Sequence, residues 1–229
     1  MNDREQILSR IRSALGDVDR EEAAAWRPES DSDPAVAYQR SGSSDVEALA
    51  GLFVERCGDY QASVVRCGGD NASVVAAVAA AASRHRARQL VSAPGWPSAW
   101  TGGEISLQTD SPALSLSELD AADGVVSLCA LAIASTGTIV LDAGAGQGRR
   151  VLTLVPDLHI CVVRAEQIVY GVPEAIIGLH EAVADGKRPL TMISGPSATS
   201  DIELSRVEGV HGPRRLEVIV IGRGEGSQA

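Results

Sequence analysis

The sequence is poor in aromatic residues, in lysine and in clustered cysteines, and each shortage excludes a class of protein. Aromatic side chains make up 3% of the 229 residues, so the core must be aliphatic. The 4 cysteines never fall at a Cys-X-X-Cys spacing, which argues against a zinc ribbon, an iron-sulfur ligand set or a disulfide framework. Cys129 and Cys161 lie in apolar runs, which indicates buried small hydrophobic side chains. The single lysine, Lys187, lies in a polar turn and is a poor Schiff-base candidate.

Long apolar runs and an excess of basic residues are also missing. No apolar stretch approaches the roughly 20 residues of a membrane span, and the first residues lack the regions of a signal peptide. Acidic residues outnumber basic ones by 30 to 20, which argues against a protein that binds nucleic acid or an anionic membrane surface. With 45% apolar residues, the chain is therefore expected to be a soluble, cytoplasmic, globular protein.

Residues 1–44 differ from the rest and are predicted to form an N-terminal helix followed by an acidic linker. Apolar side chains recur at helical spacing between Asp3 and Leu15, and Gly16 ends the pattern. The stretch that follows is rich in Asp, Glu, Ala, Ser and Pro and has no periodicity, as in a solvated tether. The apolar stripe of the helix packs either on its own domain or on a partner protein.

Residues 45–229 are predicted to form one α/β domain with a mainly parallel sheet flanked by helices. Helical patterns alternate with short Val- and Ile-rich runs, as in strands joined by crossover helices. Asp70 is placed to cap one of the helices, whereas residues 96–115 are predicted to form an irregular surface loop. Strands are predicted at 62–66, 89–93, 125–134, 138–142, 159–164, 189–194 and 216–221, and helices at 46–54, 70–83, 117–122, 173–183 and 200–207.

Three polar, glycine-bearing segments lie where predicted strands end or turn, and ligands of open α/β sheets bind outside the carboxyl ends of the strands. The first segment, 134–138, joins two apolar runs in a predicted tight hairpin. The second, 144–150, lacks the glycine spacing of a dinucleotide-binding fingerprint. The third, 194–203, leads from a strand into a helix, where free backbone N–H groups either bind a carboxylate or phosphate or are simply capped.

Residues of these segments, with a histidine just before the last strand, form the candidate site. Arg149 and Arg150 can hold a carboxylate or phosphate, or are only solvated. His211, in a turn, is the better acid–base candidate, whereas His159 is interpreted as a core histidine. The candidate catalytic residues are His211, Asp201 and Glu203, and the candidate ligand-binding residues are Ser135, Thr136, Gly137, Thr138, Gln147, Arg149, Arg150, Gly195, Ser197, Thr199 and Ser200.

Four ordered motifs in the C-terminal half resemble the lactate utilisation protein C family, also called LUD-domain proteins. They are Ala-Ser-Thr-Gly-Thr-Ile-Val-Leu at 134–141, Leu-Val-Pro-Asp-Leu-His-Ile-Cys-Val-Val at 154–163, Ser-Gly-Pro-Ser-Ala-Thr-Ser-Asp-Ile-Glu at 194–203 and Gly-Val-His-Gly-Pro at 209–213. The resemblance implies a fold like that of the sugar-phosphate isomerase and coenzyme A transferase group. It also implies a role in oxidising L-lactate to pyruvate with partner proteins, at least one of which carries iron-sulfur clusters.

Three functions stay open at this point. The favoured one is a subunit of a cytoplasmic lactate-oxidising system, without a cofactor of its own, that binds a small carboxylate such as lactate or supports the cluster-bearing partner. The second is a free-standing enzyme acting on a phosphorylated sugar or an acyl-coenzyme A, with Asp142, Asp201 or Glu203 as the catalytic carboxylate. The third is a non-catalytic scaffold that docks through the N-terminal helix.

Overall fold

The computed structural model describes residues 3–15, 41–184, 186–196, 198–199, 207–209 and 211–222. The chain divides into two units, Met1–Gln39 and Arg40–Ala229. In the first unit, helix α1 spans Asp3–Leu15, where a helix was predicted. Its apolar side chains Ile7 and Leu8 are exposed, at 57% and 36% of their surface. No helix among the described residues is long and apolar enough to cross a membrane.

The second unit is built on a parallel sheet, which confirms the predicted fold class. Within the described residues this sheet has six strands, and all of their pairings are parallel. The strands, in chain order, are β1 (Ser63–Cys67), β2 (Gln89–Ser92), β3 (Ser106–Thr109), β4 (Gly124–Leu128), β7 (Leu158–Arg164) and β12 (Arg215–Ile221). Across the sheet their order is β1-β12-β7-β4-β2-β3.

A smaller sheet packs on one face of the large one. Its strands are β5 (Leu131–Ile133), β6 (Thr138–Leu141), β8 (Ile168–Val169) and β9 (Thr191–Ile193), in the order β8-β5-β6-β9. Strands β5 and β6 are antiparallel around a short turn, as the predicted hairpin requires. The apolar run at 125–134, however, divides between the two sheets after Leu128 instead of forming one strand. A separate ribbon pairs β10 (Ala198–Thr199) with β11 (Val207–Glu208).

Helices cover both faces of the large sheet, and their starts follow the capping residues. Asp70 accepts a hydrogen bond from the Ser73 amide at 2.9 Å, so the predicted cap is confirmed. Ser115 and Glu118 form a reciprocal capping box at the start of the helix Leu116–Ala121. The helices of this unit are α2 (Val46–Asp59), α3 (Asn71–Arg84), α4 (Leu116–Ala121), α5 (Val172–Gly178) and α6 (His180–Ala184).

The core has one layer on each face of the large sheet, so the central strands are buried on both faces. In β7, Cys161 packs with α2 and the small sheet, whereas Ile160 and Val162 pack with α3. Two-sided burial explains why the central strands read as continuous apolar runs rather than as alternating patterns.

Three predicted segments differ from the structure. The predicted loop contains the edge strand β3, whose single large apolar side chain, Leu107, gives no hydrophobic run. The predicted helix at 173–183 is divided into α5 and α6 at Leu179. The predicted helix at 200–207 lies outside the described residues except for Val207, which belongs to β11.

Candidate functional site

The glycine-rich loop at 144–148 fills the carboxyl ends of β2 and β4, where a ligand was expected. The Gly146 amide donates to the Pro94 carbonyl at 2.8 Å, and the Leu128 amide donates to the Gly146 carbonyl at 2.9 Å. A Cβ added at Gly148 would lie 2.7 Å from the Ala93 Cβ, so the loop packs directly on the strand ends. Gln147 is buried and its Oε1 accepts from the Asp142 amide at 2.6 Å, so the structure gives it the role of holding this loop.

A cavity of about 220 Å³ lies instead at the amino ends of β7 and β12. This cavity therefore lies at the opposite ends of the strands from those expected, and the predicted site outside the carboxyl ends stays a prediction. That expectation holds for single sheets covered by helices, whereas here the small sheet brings β9 and the turn after it against the face of the large sheet. The lining groups with polar side chains are Arg150, Thr153, His159, Thr191, Ser194 and His211.

Arg150 brings a positive charge to the rim of the cavity. Its guanidinium donates to the Thr153 carbonyl at 2.7 Å, to Thr153 Oγ1 at 3.0 Å and to the His211 carbonyl at 3.1 Å. All of these acceptors are neutral, and no carboxylate pairs with Arg150 among the described residues. Partial burial lowers the pKa of the guanidinium from its ordinary value. An anion in the cavity would compensate this charge, and the anion-binding role of Arg150 stays a prediction.

Arg149 faces away from the cavity and is held by Asp110. Its Nε and one Nη donate to the two Asp110 oxygens at 2.8 Å each, and the same Nη donates to the Leu114 carbonyl at 2.6 Å. The hydrogen bond from Arg149 is the main reason why the pKa of Asp110 is lowered. The guanidinium is therefore occupied, and the structure indicates a structural role for this candidate ligand residue.

Two of the predicted segments meet beside the cavity through a row of hydroxyl groups. Thr138 Oγ1 lies 2.7 Å from Ser194 Oγ and 2.7 Å from Thr136 Oγ1. Ser194 and Gly195 line the cavity. The Ser135 amide donates to the Tyr170 carbonyl at 3.0 Å, which joins the hairpin turn to the end of β8.

The glycines of these two segments are explained by close packing on α2. Gly137 adopts a φ of 58°, and an added Cβ would lie 2.7 Å from the backbone of Arg56 and Cys57. Gly195 adopts a φ of 87°, and an added Cβ would lie 2.7 Å from the Tyr60 Cβ. Both positions need glycine for the turn and for space.

The remaining candidates divide between the rim of the cavity and the undescribed part of the chain. His211 lines the cavity and is exposed. Its carbonyl accepts the hydrogen bond from Arg150. Thr199 lies in β10, whose side chains are not described. Ser197, Ser200, Asp201 and Glu203 lie outside the described residues.

His159 lines the inner wall of the cavity. The sequence analysis did not include this residue in the candidate site. Its side chain is buried, as predicted, and its Nε2 lies 2.7 Å from Ser127 Oγ. Ser127 and Cys161 are register partners on β4 and β7, so histidine, serine and thiol lie together on one sheet face. Strand alternation places His159 on the same face as Cys161, but only the tertiary structure brings the cavity to it.

Behind His159, three cysteines meet in the core. A hydrogen bond from Cys129, followed by the effects of His159 and Ser127, lowers the pKa of Cys161 to about 5. The same contact with Cys161 raises the pKa of Cys129 well above its ordinary value, and burial raises the pKa of Cys57 to about 12. Cys129 and Cys161 are buried as predicted. Among the residues that the structure describes, no group of three or more His, Cys, Asp or Glu side chains could hold a metal ion.

Known proteins resemble this chain in both sequence and structure. The LUD domain family model matches residues 115–221. Lactate utilization protein C of Deinococcus radiodurans is 50% identical over 170 residues, which cover 74% of this chain and 78% of that protein. Lactate utilization protein C of Shouchella clausii is 32% identical over 109 residues, 47% of each chain.

A solved structure is also similar to this chain. The crystal structure of a DUF162 family protein from Deinococcus radiodurans has a TM-score of 0.68 and 42% sequence identity. The match covers 79% of this chain and 100% of that chain. Together with the sequence matches, this similarity confirms the family that the four motifs indicated. The chain belongs to the lactate utilization protein C family of LUD-domain proteins.

Proposed function

We propose that this chain is a subunit of a system that oxidises L-lactate to pyruvate, and that it binds a small carboxylate such as lactate in the cavity beside Arg150. The family membership supports a role in lactate use. The observation that carries the binding site is the Arg150 guanidinium, which lines the cavity and, among the residues that the structure describes, is paired with neutral oxygens. A carboxylate is the partner that such a guanidinium binds most specifically.

The size of the cavity favours a small acid over an acyl-coenzyme A. Pockets for drug-sized ligands typically enclose about 300–1,000 Å³. The cavity here encloses about 220 Å³, which matches a three-carbon acid and would leave most of a coenzyme A thioester outside it. A free-standing enzyme on acyl-coenzyme A is therefore the weaker proposal.

Electrons from lactate would pass to iron-sulfur clusters on partner proteins. The described donor groups of this chain do not fit a cluster: three cysteines lie within the core, and no group of three donors could hold a metal ion. The contribution of this chain would be to bind and orient the acid and to exclude water around it.

A docking role can accompany ligand binding. In α1, Ile7 and Leu8 are exposed, and an apolar helix face of this kind would suit a contact with a partner protein. A chain that only docks would still be required by the complex, but it would not need Arg150. The two roles can therefore be separated by one substitution.

The test is lactate-dependent reduction of an artificial electron acceptor by the partner proteins, with and without this chain. We expect reduction that requires both, and a loss of at least tenfold with Arg150→Gln. Arg88→Gln is the control, because Arg88 is 77% exposed and outside the cavity. Full activity without this chain would contradict the subunit role, and full activity with Arg150→Gln would leave only docking.

A further inference from the structure

The buried polar side chains of the cavity indicate where a bound acid would make its inner contact. Among the described side chains that line the cavity, Thr153 and His159 are the buried ones that carry polar atoms. Thr153 Oγ1 already accepts from Arg150 and donates to the Arg150 carbonyl. Ser194 Oγ is bonded to Thr138, and His211 is exposed. His159 uses Nε2 for its contact with Ser127, and its second ring nitrogen is the atom that could contact a ligand at the inner end of the cavity.

Arg150 and His159 differ in depth, and this difference orients a short ligand. Arg150 is exposed at the rim, whereas His159 is 1% exposed. A carboxylate at the rim would place the next carbon of a short acid, and any oxygen on that carbon, toward the imidazole. An imidazole can donate or accept a hydrogen bond, so it can pair with either a hydroxyl or a keto oxygen.

We propose that His159 recognises the oxygen on carbon 2 of a short carboxylic acid whose carboxylate is bound by Arg150. The cavity is then selective for 2-hydroxy and 2-oxo acids over acids that lack this oxygen. This inference rests on the proposed function, because it assumes the carboxylate site at Arg150, and it adds a residue that determines specificity.

Ser127 acts as a positioning residue in this arrangement. Its hydroxyl is fully buried and lies 2.7 Å from His159 Nε2, so it fixes the orientation of the ring. The register places Ser127 opposite Cys161, so Ser127, His159 and the thiol lie side by side on this face of the sheet. The pKa of the Cys161 thiol is lowered, first by a hydrogen bond with Cys129 and then by His159 and Ser127. Removing His159 alone would leave the buried serine without its partner, whereas replacing both residues by apolar ones removes the pair together.

The test compares L-lactate with propionate, which has the same carbon chain and lacks the 2-hydroxyl. Dissociation constants are measured by calorimetry for the full chain and for the double variant Ser127→Ala/His159→Phe, with Arg88→Gln as the control. We expect the unmodified chain and the control to bind lactate about tenfold more tightly than propionate, as one hydrogen bond to a buried group allows. The double variant should bind both acids equally, with its affinity for propionate within about twofold of the unmodified chain's.

The outcomes separate this inference from the proposed function. If the unmodified chain binds lactate and propionate equally, the carboxylate site stands and recognition by His159 is wrong. If the double variant still prefers lactate, another group reads the 2-oxygen and the inference is also overturned. If the unmodified chain binds neither acid, the carboxylate site itself fails and His159 has nothing to select. Circular dichroism of the double variant verifies the fold, and Ser127→Ala alone, which should weaken the preference, is the second variant if the double one unfolds.

Discussion

Arg149 and Arg150 are neighbours in the sequence, yet their guanidinium groups have different surroundings. Arg149 binds both oxygens of Asp110, whose side chain is 5% exposed, and Arg150 binds neutral oxygens beside a cavity. The same residue type is therefore structural at one position and available to an anion at the next. The difference arises because the turn that begins at Arg150 directs the two side chains to separate places.

Loss of Arg149 is expected to make the protein more sensitive to acid. The pKa of Asp110 is lowered in the folded state, mainly by Arg149, so the stability that this carboxylate contributes is present above its ordinary value of 3.8. That stability is lost as the pH falls through the folded-state value. In Arg149→Gln, Asp110 protonates at higher pH, and acid unfolding monitored by circular dichroism should begin at higher pH than in the unmodified chain. An unchanged acid midpoint, equal to that of Arg88→Gln, would contradict this account.

Gly137 shows how a glycine in a motif can serve packing rather than ligand binding. Its positive φ and the nearby backbone of α2 both exclude a side chain. Gly137→Ala should lower the free energy of unfolding by about 2 kcal/mol or more, because backbone strain adds to a steric clash. Gly103→Ala is the matched control, with a φ of 72° and no atom within 4 Å of an added Cβ, and should cost about 1 kcal/mol. Equal losses in urea unfolding would show that the contact with α2 does not matter.

At the scale of elements, β12 and α3 are joined by a buried ionic cluster. Glu217 on β12 is 2% exposed and contacts Arg84 and His85 at the end of α3. Burial alone would raise the pKa of Glu217, but hydrogen bonds from Arg84, His85 and Ser63 and the charge of Arg84 lower it below 4.5. The cluster therefore stabilises the contact between this strand and this helix in its ionised form.

Glu217→Gln is expected to destabilise the protein in a pH-dependent way. At pH 7 the loss should be about 2 kcal/mol, because Arg84, His85 and Ser63 lose their carboxylate partner. The stability from Glu217 is present above the ordinary value of 4.5 and is lost as the pH falls through the folded-state value. Urea unfolding at several pH values should show the difference from the unmodified chain shrinking below about pH 4.5. A difference that is constant with pH, or one shared by Glu104→Gln at the exposed Arg88 pair, would contradict this interpretation.

Local patterns were sufficient to predict most elements but not their assignment to sheets. The cap at Asp70 and the hairpin turn at Gly137 depend on neighbours in the sequence, and both were predicted. The edge strand β3 was missed because an edge strand needs few apolar residues. The division of the run at 125–134 between two sheets depends on what packs against each half, which periodicity does not contain.

The candidate site was predicted in part for the same reason. Arg150, Gly195 and His211 were singled out because their segments are polar and rich in glycine, and the structure places all three around one cavity. His159 was not chosen, because its surroundings in the sequence are apolar and a buried histidine is usually structural. The position of the cavity at the amino ends could not be foreseen without knowing that a second sheet packs there.

At the scale of the whole molecule, two packed sheets create a cavity that a single open sheet would not have. The glycine-rich loop covers the carboxyl ends of β2 and β4. At the opposite edge, β9 and the turn before β12 enclose the cavity over the amino ends of β7 and β12. This arrangement brings Arg150 and His159 together, although each is held by a different element. The small-acid site that we propose depends on this arrangement, and the family to which the chain belongs is named for lactate use.

The most direct measurement of the central claim is a calorimetric titration of L-lactate into the full chain and into two adjacent variants. We predict saturable binding by the unmodified chain, similar binding by Arg149→Gln at a temperature where that variant is folded, and a loss of at least tenfold in Arg150→Gln. A tenfold loss corresponds to about 1.4 kcal/mol, a modest value for a charge-assisted contact. Lactate binding that is unchanged in Arg150→Gln, or equally weakened in both variants, would contradict the account.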